Sequence, residues 1–168
     1  MTEIQSYRVL ETHPGFELRL YEPHTLVTTK VQGDLGSAGY QAFGSLASFI
    51  GGNNQKGESI AMTAPVLQKK SDTGYQVSFV MPKGMLNPPA PVSSKLELEV
   101  VPELMMAAIR FSGSATEKLF FEKRQKLLEL IKEQGFKTTG DPLYARYNGP
   151  WTPAFLRRNE ILLPVSRA

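Results

Sequence analysis

The chain has 168 residues, 41% of them hydrophobic and 21% charged, with a formal net charge of +3 at pH 7. This is an ordinary globular composition of one-domain length (residues 1–168 as a single domain), and its scattered cations do not form the basic stripe that nucleic-acid binding requires. There is no cysteine, which excludes disulfides, thiolate metal sites and cysteine nucleophiles. No apolar run reaches the length of a membrane span, and the opening MTEIQSYRVLETHPGF lacks a basic segment followed by an apolar one, so a cytoplasmic location is expected.

In chain order, Phe16-Glu17-Leu18-Arg19-Leu20 alternates as a strand, Glu22-Pro23-His24 reads as a turn, and residues 26–31 alternate again, predicting a hairpin. A helix is predicted over 36–50, then the glycine-rich GGNNQKG. That stretch leaves a helix instead of opening one, so it is a helix stop and loop, not a phosphate cradle. Strands come next at about 59–68 and 75–81. Between them Asp72-Thr73-Gly74 matches an aspartic-protease triplet only in letters, because it sits where a hairpin turn belongs and has no second copy. A second hairpin is predicted around 97–113. A second helix is predicted at about 115–134, with Ser114 to Glu117 as a capping box and Gly135 as its stop. Its apolar face is Phe120, Leu127, Leu128 and Ile131. Strands at 143–148 and 159–165 complete the chain.

The second half echoes the first. Sliding the sequence by eighty residues lays ELRLYEPHTLVTTKVQG over ELEVVPELMMAAIRFSG, so that Glu17 meets Glu97, Lys30 meets Arg110 and Gly33 meets Gly113. The order β-β-α-β-β thus occurs twice, over about 16–81 and 95–165. The expected fold is α+β: a distorted antiparallel β-barrel of about eight strands with two helices, built from two pseudo-twofold repeats, closure being one way to remove exposed edges.

The first helix is unusual in holding Gly36, Gly39 and Gly44, since an interior glycine costs about 1 kcal/mol relative to alanine. Phe43, Leu46 and Ile50 are expected to face the sheet. A second strip, Tyr40, Gly44, Ala47 and Ser48, is small and mildly polar. It suits either close packing against a loop or a shelf for a flat apolar ligand. His13 and His24 are the two imidazoles, both near turns, and no nucleophile elbow or carboxylate pair accompanies them. A binding protein is therefore favoured over an enzyme.

The stretch KGESIAMTAPV (56–66) resembles the signature of the SOUL/haem-binding protein family. In the same order stand Tyr21, GGNN (51–54), Met81-Pro82, Pro88-Pro89-Ala90-Pro91 and YNGPWTPAFLRRNE (147–160). The resemblance implies a barrel of two β-β-α-β-β repeats that binds haem or a related tetrapyrrole, with the ligand lying over the first helix near a C-terminal loop. It carries over to Tyr40, Phe43, Ala47 and Ser48 as cofactor-binding positions, with Trp151 and Phe155 either covering the ligand or capping the barrel. One branch of the family has a histidine proposed as axial ligand where this chain has Leu20, so the metal ligand (His24, His13 or none) is left unassigned. Met62 and Thr63 alternate to opposite faces, with core packing favoured for Met62. Pro65 should mark an edge or bulge. Arg157 and Arg158 are expected to pair with carboxylates and fix the last strand. The rival readings are a gyrase-inhibitor-like or multidrug-binding module for another flat hydrophobic compound, by analogy of fold, and a protein-interaction module.

Overall fold

The structure, a computed structural model, describes residues 2–168. Along the chain run β1 (Glu3–Ile4), β2 (Tyr7–His13), β3 (Phe16–Tyr21), β4 (His24–Gln32) and the helix α1 (Leu35–Ile50). Next come β5 (Thr63–Ala64), β6 (Val66–Lys70), β7 (Gly74–Val80), β8 (Glu97–Val101) and β9 (Leu104–Phe111). The helix α2 (Glu117–Glu133), β10 (Phe136–Thr138), β11 (Leu143–Arg146), a 3₁₀ turn (Ala154–Leu156) and β12 (Asn159–Arg167) complete it. No helix among the described residues is long and apolar enough to cross a membrane.

The chain divides into two compact units of nearly equal length, each built from two separate segments. The first takes the N-terminal segment to Gln5 and Pro23–Pro102; the second takes Ser6–Glu22 and Glu103–Ala168. In the first unit an antiparallel sheet runs β6-β7-β4-β8, and β1 pairs with β5 in parallel. In the second an antiparallel sheet runs β2-β3-β9-β12-β11, with β10 also on β12.

The α+β class is as expected, but three features differ. Neither unit's strand order returns to its first strand, so neither sheet closes into the expected barrel. The edges are managed locally instead: β8 is five residues long with Glu97 and Glu99 exposed, and β2 carries a register shift between Val9 and Glu11. The predicted hairpins also do not form. β3 pairs with β2 and β9, whereas β4 pairs with β7 and β8. The chain changes unit at Gln5/Ser6, at Glu22/Pro23 and at Pro102/Glu103, and at the last two crossings a proline removes the donor a continued ladder would need. The compact units therefore do not coincide with the halves 16–81 and 95–165, and the described residues form twelve strands, not about eight.

Local signals explain the smaller elements. The Asp72-Thr73-Gly74 stretch is the β6–β7 turn, with Ser71 N–H donating to the Gly74 carbonyl at 2.9 Å. A side chain at 74 would collide with the Val31 carbonyl across the pair, which requires glycine there. The cap of α2 is Thr116, whose hydroxyl accepts from Leu119 N–H at 3.2 Å, and not Ser114. The helix starts two residues later than the capping-box pattern implied. Gly135 (φ 81°) stops it, as expected.

Candidate functional site

Helix α1 begins on Asp34, whose Oδ1 accepts from Ser37 N–H at 2.8 Å. Leu35, Ala38, Ala42, Leu46, Phe49 and Ile50 are buried where the helix packs on β4 and β7. The stripe centre runs through Ala38, Ala42, Leu46 and Phe49, which turns Phe43 to the margin instead of inward as predicted. Phe43 is 51% exposed, its ring edge-on to Phe79 at 5.7 Å. Tyr40 is 69% exposed, Gly44 and Ser48 are exposed and Ala47 is half-buried. Positions 40, 43, 44, 47 and 48 follow helical spacing, so they form one outer face. A Cβ at Gly44 would meet nothing within 4 Å, so close packing against a loop does not account for that glycine.

Beyond α1 the GGNN motif has a structural task. Asn54 is buried and donates to the carbonyls of Phe49 (3.1 Å) and Glu58 (2.8 Å) while accepting from Lys56 N–H and Glu58 N–H. One side chain thus fixes the whole loop. Of Met62 and Thr63, the one that packs inward is Thr63, its hydroxyl donating to the Val80 carbonyl at 2.5 Å, while Met62, expected in the core, is only half-buried. The expected strand at 59–68 starts at Thr63 and is interrupted by a cis Ala64–Pro65 bond. A cleft of about 470 Å³ in this unit is lined by Thr28, Lys30, Gln76, Lys95, Glu97 and Glu99 among others. Its mixed charges do not suit a flat apolar ring, and it contains no predicted site residue.

Trp151 and Phe155 belong to the second unit, on the loop between β11 and β12. Trp151 is 84% exposed, Phe155 75% and the neighbouring Leu156 63%. The predicted arginine roles divide. Arg157 pairs with no carboxylate among its described bonds: its Nε donates to the Thr152 carbonyl at 2.8 Å and its Nη2 to the Pro150 carbonyl at 3.1 Å, so it clamps the loop. Arg158 does pair with a carboxylate, Glu160, at 3.1 Å.

Glu160 is 0% exposed and is the hub of a network that sequence reasoning missed. Both of its oxygens accept from Arg19, each at 2.8 Å, and Oε1 also accepts from the Tyr147 hydroxyl at 2.7 Å. Arg19 donates further to Tyr21 and Glu17 and lies 4.1 Å over the Tyr7 ring. Arg158 sits 4.0 Å over the Tyr147 ring and donates to the Tyr7 hydroxyl. Burial alone would push Glu160 up; the bonds and charge of Arg19, the Tyr147 hydroxyl and the Arg158 charge outweigh it and hold the carboxyl below the ordinary glutamate range. Burial, then the Glu160 charge, push the Tyr147 phenol far up, so it remains a donor. The signal was present in outline: a glutamate opening the apolar run Ile161-Leu162-Leu163 persists inside a sheet only if paired. The network holds Arg19, Tyr147 and Arg158 in fixed orientations around one buried carboxylate.

The histidines have other occupations. His13 Nε2 lies 2.8 Å from Glu11 Oε1 and its ring stacks on Phe16 at 4.8 Å; His24 opens β4 opposite Val101. Among the described residues no three His, Asp or Glu side chains gather as a metal site.

Residues 2–164 match the profile of the SOUL heme-binding protein. The sequence is 31% identical over 162 residues to human heme-binding protein 2, covering 89% of this chain and 78% of that protein. It is 26% identical to heme-binding protein 1 of Xenopus tropicalis, covering 88% and 82%. Among solved structures, the C-terminal domain of EcmrR superposes with a TM-score of 0.69 over 96% of this chain and 99% of that one; at 12% identity the likeness is one of fold.

Proposed function

The chain belongs to the SOUL heme-binding protein family, and on that footing we propose that it is a cytoplasmic binder of haem or a related tetrapyrrole that buffers or carries its ligand. The observation that carries the reading is the outer face of α1, where the exposed Tyr40 and Phe43 border open ground at Gly44. Two aromatic rings and a backbone without a side chain between them fit a flat apolar macrocycle. When bound, haem brings a coloured, redox-active iron, which gives the reading its assay. Tyr40 and Phe43 supply ring contact, Gly44 and Ala47 allow close approach, and Ser48 offers a hydroxyl at the rim. None of these is an imidazole, so the reading rests on contact with the ring and not on an iron bond. Covering a few hundred square ångströms at roughly 25 cal/mol per Å² contributes several kcal/mol before association costs, enough for micromolar binding. The names of the human and Xenopus relatives support the same ligand class.

The test is Ala47→Glu. Glutamate is a good helix former, and residue 47 is only half-buried, so the fold should tolerate it. The added carboxylate intrudes on an apolar ring and repels propionates. Soret titration should show haem affinity down at least tenfold, about 1.4 kcal/mol, with the melting temperature nearly unchanged. Unchanged affinity would remove α1 from the site.

A further inference from the structure

We propose that the loop carrying Trp151 docks the protein on anionic lipid surfaces, with Trp151, Phe155 and Leu156 entering the interfacial layer of a bilayer and the loop's arginines meeting lipid phosphates. This goes beyond the ligand reading and does not depend on it.

Three large apolar side chains stand in solvent within six residues, on a loop that is held rigid. Thr152 N–H donates to the Gly149 carbonyl, Leu156 N–H to Pro153, Arg157 N–H to Ala154, and Gly113 N–H also to Ala154. Arg157 takes the carbonyls of Thr152 and Pro150, and Arg158 N–H donates to Asn148 Oδ1 at 2.6 Å. Pro150 and Pro153 have no N–H to satisfy. The Trp151 ring lies against Gly149, where a Cβ would collide with it. A loop whose polar backbone groups are so far paired internally can enter a low-dielectric layer without the several kcal/mol that each bare group costs there. Ordering entropy is also spent in advance, because the apolar tip does not have to be assembled on contact.

Charge identifies the surface. The segment 142–159 contains Arg146, Arg157 and Arg158 and no Asp or Glu, a charge of +3 that equals the formal net charge of the whole chain. The segment lies between the exposed Asp141 and Glu160, and Glu160 is wholly buried and shared between Arg19 and Arg158. Arg157 is bonded to neutral carbonyls, so its charge is not cancelled by them. An aromatic and aliphatic tip beside arginines is the pattern of interfacial binding, in which apolar insertion and attraction to acidic headgroups act together.

Trp151 is the single tryptophan, so its emission reports on the loop directly. The full chain is titrated with vesicles of phosphatidylcholine containing about one third phosphatidylserine, and with pure phosphatidylcholine. The expected result is a blue shift and co-sedimentation with the mixed vesicles, weakening as salt rises from about 0.1 M to about 0.5 M. Leu156→Asp, at an exposed position, should keep the melting temperature and lower partitioning at least tenfold. The proposal is overturned if mixed vesicles leave the emission unmoved, if pure phosphatidylcholine binds equally well, or if Leu156→Asp binds like the parent. It is overturned as well if the shift appears only on adding haem, which makes the loop a ligand cover, or with protein concentration alone, which makes it a contact between copies.

Discussion

At the residue scale Glu160 is the most demanding position in the chain. A carboxylate withdrawn fully from water survives because Arg19 meets it with two parallel bonds and Tyr147 and Arg158 occupy the remaining lone pairs. Its folded pKa lies below the ordinary 4.5, so its contribution to stability is complete above that value and is lost as pH falls through the folded one. Glu160→Gln leaves two buried or half-buried guanidiniums without their counter-charge and should destabilise the fold by about 3–5 kcal/mol at neutral pH. Thermal unfolding of parent and variant from about pH 7 to about pH 3 checks this: the gap between them should narrow only below pH 4.5. A gap independent of pH would mean that shape, and not charge, sets the loss.

At the element scale α1 is the informative helix. Its inner stripe was legible from spacing alone except at Phe43, where the stripe is about one position off and the ring ends half in water. Gly44 weakens the helix without any packing reason, since a methyl there meets nothing. Gly44→Ala should therefore stabilise the helix by about 0.5–1 kcal/mol and raise the melting temperature by about 1–4 °C. If a macrocycle lies on this face, the same methyl lifts it from the backbone, so haem affinity should fall while stability rises. Calorimetry and Soret titration on one sample measure both, and a stabilised variant with undiminished affinity would move the ligand off position 44. The loop after α1 is governed by a single side chain in the same local way. GGNN looked like a helix stop and is one, but Asn54, through its four bonds, is the residue that shapes the turn from Gly52 to Glu58.

At the scale of the whole molecule the notable feature is how the chain is dealt out between units. β8 joins the sheet of β4, β6 and β7, and β3 joins that of β9, β11 and β12, so the segment 16–81 gives its first strand to the second unit and the segment 95–165 gives its first strand to the first. Matching β6-β7-β4-β8 to β11-β12-β9-β3 gives the same strand order in both. Residues 23–102 should accordingly superpose on the combined segments 6–22 and 103–168, helix on helix, as measured by the deviation of paired Cα atoms. Helices at unrelated places on their sheets would end the repeat interpretation.

Most of the strands (not β1, β2 or β10), the two helices and the turn at Asp72-Thr73-Gly74 were determined by sequence, because period, caps and glycine positions are local and leave their trace within a few residues. The family was determined in the same way, by short motifs in a fixed order. Which strand pairs with which was not: β3 and β4 are separated by two residues, yet their partners lie up to about ninety residues away, and alternation says only that a face is buried, never against what. The same limit hid the Arg19–Glu160 pair, 141 positions apart, whose two members each looked like an ordinary strand charge. The cations, too, read as scattered along the sequence. Only the tertiary structure buries Glu160 and turns Trp151, Phe155 and Leu156 outward on one loop, since exposure is a property of what the rest of the chain covers.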